Sequence, residues 1–385
     1  MPLTSYLPMS LHLINTPDQF FALAPEWNDL LRRSRVDNIF LTWEWSAAWL
    51  RHFGGDYRPW TLALRADDGS LRGVAPLVIG RKRLPGGLFY RQLLFIGSGR
   101  AAADHLEFIT PRGDEAAVEL LARGVLAGRG WDVLQLESLP PDSPTLAALQ
   151  RYIPPGWQEI EMLPCPFIRL PADWETLRQS LGKNQRRNIV RYDRYLAEAG
   201  AGPVQYGQLT NAAAIPETLV TLSHLHQAVQ QEQGHAGAFS DPRMLPFQQD
   251  VAARFQACGW LRLYWLRLGD GVIAMMYCFL YGRRLSFYIT GYDLTWSRFG
   301  PGRQVIAYAL QQCVADGVEV FDFLRGDEAY KFDWGAETQR NVNLRAAGSL
   351  WGKFLQRSQQ LRRRLRQNWQ NGVQITRKES MPTGR

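Results

Sequence analysis

The sequence predicts an α/β (α+β) fold of two duplicated domains, each a mixed sheet with flanking helices. Two stretches, residues 60–138 and 260–324, follow the same order of a β-hairpin, a strand, a helix and a strand. In both, an Asp-Gly pair lies between apolar runs, which is a strong signal for a hairpin turn. A helix that leads into a strand requires a crossover ending parallel to an earlier strand. Two copies of one pattern indicate duplication, although no shared side chains support it.

The elements of the first copy follow from the turn at Asp68-Gly69. Alternating apolar residues around it predict strands, and a later apolar pattern of helical period predicts a helix. The predicted strands cover residues 60–65, 72–79, 89–96 and 132–137, and the predicted helix covers residues 114–127.

The second copy is built around Asp270-Gly271. The same patterns predict strands over 260–268, 272–280, 285–292 and 318–324, with a helix over 303–315. Two further helices, over 174–199 and 216–233, lead into this second sheet.

Proline pairs separate the two copies. Pro140-Pro141 and Pro154-Pro155 are followed by Pro164 and Pro166, and prolines of this density do not fit inside a helix. We therefore predict an N-terminal domain over 1–150 and a C-terminal domain over 151–348. Residues 349–385 form the predicted tail. It consists of one more helix, which begins at Leu350, and a disordered end.

Composition excludes several classes of protein. The 385 residues are 46% hydrophobic and 12% aromatic, which is enough apolar material for folded cores and excludes a mainly disordered chain. No stretch of 18 apolar residues lacks a charge, so no membrane-spanning helix is expected. The N-terminus has no basic segment typical of a secretory signal. The four cysteines are scattered, which fits a reducing compartment, so we expect a cytoplasmic protein that is peripheral, at most, at the inner membrane face.

The net charge of +8 comes from one end of the chain. Residues 353–385 contain nine Lys or Arg and one acidic residue, and removing these from the totals of 44 and 36 leaves 35 of each sign. The charge therefore describes the tail and not the body of the protein.

The predicted tail helix is amphipathic. An apolar stripe is flanked by basic side chains; the stripe is Trp351, Phe354, Leu355, Leu361, Leu365 and Trp369, and the flanking residues are Arg357, Arg363, Arg364 and Arg366. Such a helix suits an anionic membrane surface, and residues 350–378 are a candidate contact with a membrane or a polysaccharide synthase. The alternative is that the stripe packs on the protein's own body.

A glycine-containing turn precedes the helix of the second copy. Gly300, Gly302 and Arg303 flank Pro301, which suits a first helical turn. Glycines allow close backbone approach, and helix N-terminal amides bind anions, so this turn is a candidate phosphate site. The alternative is a helix entry that needs glycine for its backbone dihedrals.

The densest polar cluster follows the last strand of the second copy. Residues 321–335 include Asp322, Glu328, Tyr330 and Lys331. Strand ends in α/β sheets are where sites form, and these side chains could supply acid, base and anion-binding groups. An ion-paired loop is the alternative. The Asp104-His105 pair lies where the first sheet could contribute a substrate contact, and the alternative is a structural pair.

A basic helix face lies earlier in the chain. At 100° per residue, one face collects Lys183, Arg186, Arg187, Arg191 and Arg194. This is either a solvated face or a surface that binds a phosphorylated or lipid-linked substrate, or RNA. We expect no metal site, because His224 and His226 point to different sides of their helix.

Several of these motifs resemble the CelD/BcsL group of GNAT-like acyltransferases. The resemblance rests on three sets of motifs: the 40–45 segment Phe-Leu-Thr-Trp-Glu-Trp with Trp49 and Asp104; Gly291-Tyr292-Asp293 and Pro301-Gly302; and Asp-Phe-Leu-Arg-Gly-Asp-Glu-Ala-Tyr-Lys over 322–331. This group is linked to cellulose and other exopolysaccharide synthesis and is related to the FemAB peptidoglycan transferases. The resemblance covers residues 18–348 and implies two GNAT-like domains in tandem.

The resemblance implies transfer of an acyl group, from acetyl-CoA, to an amine or hydroxyl of an envelope saccharide or its precursor. Strand amides near Gly291 would polarise the thioester carbonyl. Gly300, Gly302 and Arg303 would hold the pyrophosphate. Asp322, in preference to Glu328, would accept the proton, and Lys331 would hold an anionic group. The candidate list is completed by Tyr330 and Asp104 as catalytic residues and by Lys183, Arg187, Arg191 and Asp293 as substrate-binding residues.

Two alternatives remain open from the sequence. One keeps the enzyme class but takes its acyl group from aminoacyl-tRNA, as the FemAB relatives do, and nucleic acid is expected only in that case. The other is a non-catalytic protein that binds glycan through its aromatic residues and recruits a synthase through its tail.

Overall fold

A computed structural model describes residues 9–358 and residue 361. The strands are β1 (Met9–Ile14), β2 (Tyr57–Pro59), β3 (Thr61–Ala66), β4 (Leu71–Ala75), β5 (Leu77–Arg83), β6 (Phe89–Phe95), β7 (Val133–Leu139), β8 (Gln158–Arg169), β9 (Val204–Gln208), β10 (Leu261–Leu268), β11 (Gly271–Tyr281), β12 (Arg284–Tyr292), β13 (Val320–Asp322) and β14 (Glu337–Ala347). The helices are α1 (Pro17–Phe21), α2 (Ala24–Arg32), α3 (Trp43–Phe53), α4 (Glu115–Ala127), α5 (Pro144–Tyr152), α6 (Trp174–Ser180), α7 (Lys183–Glu198), α8 (Ile215–Glu232), α9 (Met244–Ala257), α10 (Pro301–Ala315) and α11 (Ala329–Phe332).

One mixed sheet runs through both halves of the molecule. Its eleven strands lie in the order β2-β5-β6-β7-β14-β8-β13-β12-β11-β10-β9, and β1, β3 and β4 form a separate three-stranded sheet. Each half contains one parallel pair, β6 with β7 and β12 with β13. Strand β14 pairs antiparallel with both β7 and β8 and thereby joins the halves. The prediction of a mixed α/β fold is confirmed.

The predicted strand over 72–79 is two strands. The chain leaves the small sheet after β4 and enters the large sheet at β5, with Pro76 between them. Proline has no N–H to donate to a ladder, so a central strand is readily interrupted there. The carbonyl of Pro76 still accepts a hydrogen bond from the N–H of Ile96 (2.9 Å).

The proline-rich segment between the copies contains regular structure that the sequence did not predict. Helix α5 begins at Pro144, where the missing N–H costs nothing, and the predicted boundary at residue 150 falls inside it. Strand β8 includes Pro164 and Pro166, whose carbonyls accept hydrogen bonds from the N–H groups of Gly326 and Phe323 (2.9 Å each). The domain boundary itself stays a prediction.

Aromatic side chains connect the two halves. Trp45 on α3 is fully buried and packs against Phe247 of α9 (ring centroids 5.2 Å apart) and Tyr288 of β12 (5.7 Å). Burial of a large aromatic side chain is worth about 3 kcal/mol. The first half therefore packs directly on the strand that borders the candidate site.

The beginning of the predicted tail helix packs on the body. Residues 350–358 are helical, Leu355 is buried with Tyr90 and Val133, and the Trp351 indole N–H donates to the carbonyl of Phe89 (3.1 Å). The start of the apolar stripe therefore packs on the protein's own body, which is one of the two alternatives given by the sequence. Leu365 and Trp369 lie outside the described residues. Within the described part of the chain, no helix has the length and apolar character needed to cross a bilayer.

Candidate functional site

A gap opens in the sheet where β12 and β13 diverge. The two strands pair in parallel at only three positions, the last being Ser286 with Asp322. Strand β12 continues to Tyr292, whereas β13 ends at Asp322. The carboxyl ends of parallel strands are where α/β sheets bind ligands. The gap is therefore the centre of the candidate site.

Helix α10 begins beside this gap with the predicted glycine turn. Gly300 has a φ of +62°, which favours glycine, and its carbonyl accepts from the N–H groups of Arg303 (2.9 Å) and Gln304 (3.1 Å). Gly302 has no such backbone requirement, but a Cβ there would lie 3.1 Å from the Tyr292 ring. The need for glycine at the helix entry therefore explains Gly300 fully. It explains Gly302 only in part.

Helix α7 packs across the first turns of α10. The Gln304 side-chain amide donates to the carbonyl of Ile189 (2.9 Å), and Arg303 donates to Gln185 Oε1 (2.8 Å) and pairs with Asp333 (2.7 Å). The Nε2 of Gln185 is buried and has no hydrogen-bond partner among the described residues. A buried donor without a partner is costly, so this position beside the α10 N-terminus favours an external acceptor.

The segment after β13 is held by Lys331. This buried ammonium donates to the carbonyls of Arg325 (3.0 Å) and Gly326 (3.3 Å) and pairs with Glu328 (2.8 Å). Its three N–H groups are therefore used within the segment. The Glu328 side chain remains 57% exposed. Tyr330 packs against Phe323, and burial raises the pKa of its phenol.

Asp322 lies in a buried ion-pair network. The side chain is 1% exposed and accepts from His105 (2.9 Å), Arg284 (2.7 Å) and the N–H of Leu324 (2.8 Å). Burial alone would raise the pKa of this carboxyl, but His105 and Arg284 hold it at about 2. For His105, burial opposes ionisation, yet the Asp322 charge raises the pKa overall. These contacts favour the ion-paired alternative for Asp322, whose catalytic role stays a prediction.

A second ion pair connects the two halves, and here the carboxylate comes from the first half and the basic side chain from the second. Arg325 of the second half donates to the buried Asp104 of the first, from its backbone N–H (2.9 Å) and from Nε (2.8 Å). Ser138 also donates to Asp104. Each half thus contributes one carboxylate and one basic side chain to its neighbour.

Backbone strain is concentrated at these crossed pairs. Among the described residues, the non-glycine residues with positive φ are Ala102, His105, Ser138 and Leu324, with values from 47° to 59°. Each such conformation costs on the order of 1–3 kcal/mol and persists only where the surroundings impose it. The Asn341 side-chain amide links two of these residues, since its nitrogen lies 3.0 Å from His105 Nδ1 and donates to Ser138 Oγ (2.9 Å).

Strand β12 is covered on one side by helix α8. A Cβ on Gly291 would collide with the backbone of His226, so glycine is required for this close approach. His226 Nδ1 donates to the Thr290 carbonyl (2.8 Å), and its Nε2 accepts from the N–H of Ala238 (3.2 Å). Burial lowers the pKa of His226, as a neutral ring with these two bonds requires. Asp293 accepts from the N–H of Thr295 (2.9 Å), where the chain leaves β12.

The predicted basic helix is broken near its start. The helix predicted over 174–199 is two helices, because α6 ends at Ser180 and α7 begins at Lys183, after Leu181 and Gly182. On α7, Lys183, Arg187 and Arg191 are exposed. Among the residues that the structure describes, no group of three His, Cys, Asp or Glu side chains is arranged to hold a metal ion.

Similarity to a protein family coincides with this site. Residues 183–332, from the start of α7 to the end of α11, match the model of the acetyltransferase (GNAT) domain. No curated protein matches the sequence significantly. This part of the chain is therefore similar to a GNAT acetyltransferase domain, and the prediction of a GNAT-like acyltransferase is confirmed. The narrower resemblance to the CelD/BcsL group stays a prediction.

Solved structures share the fold at low sequence identity. FemX is similar with 11% identity and a TM-score of 0.59 over 83% of this chain and 95% of that chain. A conserved protein of unknown function from Bacteroides thetaiotaomicron VPI-5482 has 11% identity and a TM-score of 0.55, covering 88% and 100%. The C-terminal domain of a putative lysylphosphatidylglycerol synthetase from Agrobacterium fabrum has 11% identity and a TM-score of 0.50, covering 87% and 94%. These likenesses concern the fold alone.

Proposed function

We propose that the protein transfers an acyl group from acyl-CoA, in the simplest case acetyl-CoA, to an amine or hydroxyl of a saccharide. The observation that carries this proposal is the gap between β12 and β13 beside the N-terminus of α10. A pantetheine chain can enter such a gap while its pyrophosphate meets the helix N-terminus. The saccharide acceptor rests on the resemblance to the CelD/BcsL group.

The residues at the α10 N-terminus fit a pyrophosphate. The N–H of Gly302 belongs to the first helical turn, which no helical carbonyl can reach. The Gln185 Nε2 is a buried donor without a partner, on the same amide that contacts Arg303. Bound CoA would supply a thioester, whose carbonyl carbon is open to attack by a nucleophile.

Acyl transfer requires one proton acceptor and stabilisation of one oxyanion. The acceptor's nitrogen or oxygen attacks the thioester carbonyl carbon, and its proton passes to a carboxylate. Collapse of the tetrahedral intermediate breaks the C–S bond, and the CoA thiolate leaves and takes up a proton. Amides of β12 beyond Ser286, where pairing with β13 has ended, would stabilise the oxyanion.

We assign the proton acceptor to Glu328. Its carboxylate is largely exposed, whereas Asp322 is buried and already accepts three hydrogen bonds. The segment that follows β13 reaches the α10 N-terminus, where Asp333 pairs with Arg303. Of the two candidate carboxylates, Glu328 is therefore the one that a substrate can approach.

A second candidate function takes the acyl group from aminoacyl-tRNA. The exposed basic face of α7 favours it, because nucleic-acid backbones bind to clustered Lys and Arg. Titrating the purified protein with acetyl-CoA, free CoA and tRNA separates the two. Saturable CoA binding selects the first function and tRNA binding the second, and neither ligand would bind to a non-catalytic accessory protein.

Gly302→Val should weaken CoA binding at least about tenfold, which is about 1.4 kcal/mol. The branched side chain would occupy the approach to the first-turn amides and press on the Tyr292 ring, 3.1 Å from the new Cβ. Isothermal titration of CoA measures the effect. The matched control is Gly156→Val, since a Cβ at Gly156 has no neighbour within 4 Å. Equal CoA affinity in wild type and folded Gly302→Val would remove this turn from the site.

We further propose that the basic tail binds anionic membranes. A chain ending at Ser358 should keep its stability and lose co-sedimentation with phosphatidylglycerol vesicles. A chain ending at Ser349 should in addition lose about 2 kcal/mol of unfolding free energy, because Leu355 is buried. Lys353 and Arg357 already lie over the Trp157 ring, at 5.1 and 4.6 Å. Vesicle binding by the 1–358 chain equal to that of the full chain would contradict the proposal.

A further inference from the structure

The exposed side of α7 contains a depression that has no role in the acyl transfer proposed above. It has a volume of about 290 Å³ and is lined by Asn184, Arg187, Asn188 and Arg191. Arg187 and Asn188 each lie three or four residues from both Asn184 and Arg191, so the four side chains form one stripe along the helix. Asn188 Oδ1 accepts from Arg191 (2.8 Å), which leaves the Asn188 amide N–H groups for another acceptor. The depression is lined mainly by hydrogen-bond donors.

Among the residues that the structure describes, no carboxylate pairs with the two guanidinium groups in this depression. Arg194 of the same helix pairs with Glu198 (3.6 Å), but Arg187 and Arg191 form no ion pair within residues 9–358. The nearby Asp193 instead accepts from Gln304 (2.6 Å) and from Tyr206. Like charges one helical turn apart destabilise a helix. A bound anion would turn this repulsion into attraction.

The depression lies on the same helix that covers the donor turn. Ile189 and Tyr192 contact the first turns of α10 from the buried side of α7, and the Tyr192 ring would lie 2.9 Å from a Cβ on Gly300. The arginines occupy the opposite, exposed side. A ligand that contacts both the arginines and the donor turn must therefore extend around α7, whose diameter is about 10 Å.

We propose that Arg187 and Arg191, with Asn184 and Asn188, form a phosphate-binding subsite for a small substrate. Guanidinium groups bind phosphate oxygens in bidentate pairs, and two positive charges match a phosphate dianion. This proposal rests on the proposed function. The phosphate belongs either to the 3′-phosphate of the CoA donor or to the diphosphate of a nucleotide-linked saccharide acceptor.

The test compares the double variant Arg187→Gln/Arg191→Gln with wild type and with Arg194→Gln, an exposed arginine of the same helix that has a carboxylate partner. Isothermal titration uses CoA, 3′-dephospho-CoA and UDP-N-acetylglucosamine. The double variant should bind CoA or the sugar nucleotide at least about tenfold more weakly, and Arg194→Gln should match wild type. A loss for CoA but not for dephospho-CoA assigns the 3′-phosphate, and a loss for the sugar nucleotide assigns the acceptor.

Several results would overturn the subsite. The first is that the double variant and wild type bind the probes with equal affinity. The second is that Arg194→Gln loses as much affinity as the double variant. The third is that wild type binds neither CoA nor the sugar nucleotide. Arginine-dependent binding of an RNA hairpin without binding of the small probes would overturn it as well. Arginine-dependent binding of UDP-N-acetylglucosamine without any CoA binding would support the subsite and remove acyl-CoA as the donor. If Gly302→Val lost CoA binding while the double variant bound CoA as tightly as wild type, the donor site would be supported and the subsite would be excluded.

Discussion

Asp322→Asn is expected to lower the free energy of unfolding by about 3 kcal/mol, because breaking a buried ion pair leaves its partner charges uncompensated. His105 and Arg284 both depend on this carboxylate, at 2.9 and 2.7 Å. The substitution keeps the shape of the side chain but removes its charge. Urea unfolding at neutral pH measures the loss. We expect turnover per folded molecule to be retained.

The same carboxylate gives a pH dependence of known sign. The folded pKa of Asp322 is about 2, below the ordinary 3.8, so its ionisation stabilises the fold at pH values above the unfolded pKa. That contribution, about 2 kcal/mol, is lost as the pH falls from about 4 towards 2. The difference in stability between wild type and Asp322→Asn should therefore shrink over this interval.

Asp316→Asn is the matched control, since Asp316 is exposed at the end of α10. Its effect on stability should stay within about 0.5 kcal/mol. If Asp322→Asn instead kept its stability and lost turnover by about 10²-fold or more, Asp322 would be the proton acceptor that the sequence motif favoured.

Local patterns were sufficient to predict most elements of both copies, including the parallel crossovers. One missed element, strand β14, depends on distant pairing. Strand β14 inserts between β7 and β8, and no local feature of residues 337–347 indicates which strands it will join. Strand β8 and helix α5 were missed because proline was taken as a breaker. Proline is compatible with a helix start and with strand positions at which only the carbonyl is needed.

The site was predicted in part for the same reason. The polar segment after β13 stands out in the sequence, but the partner of Asp322 is His105, which lies 217 residues earlier in the chain. Burial and pairing decide which carboxylate is free to act, and both depend on how the two halves pack. The sequence could therefore identify Asp322 and Glu328 as candidates without separating a structural carboxylate from an accessible one.

Glu328→Gln is expected to reduce kcat about 10²-fold or more, since a positioned general base contributes at least that factor. The isosteric amide cannot accept the acceptor's proton. Stability should change little, because the carboxylate is largely exposed and the buried Lys331 ammonium keeps its hydrogen bonds to the carbonyls of Arg325 and Gly326. The measurement follows release of free CoA from acetyl-CoA with glucosamine as the probe acceptor, together with urea unfolding of the same preparation.

The effect on kcat distinguishes chemistry from loop positioning. If Glu328 only helps to hold Lys331, its replacement should loosen the segment and raise KM with kcat nearly unchanged. Glu337→Gln is the control, because Glu337 is another exposed carboxylate of the same half, 3.8 Å from Arg169. A Glu328→Gln protein with the turnover of Glu337→Gln would exclude Glu328 as the base. Turnover lost with stability retained, beside an Asp322→Asn protein with the opposite pattern, would assign the chemistry to Glu328 and the architecture to Asp322.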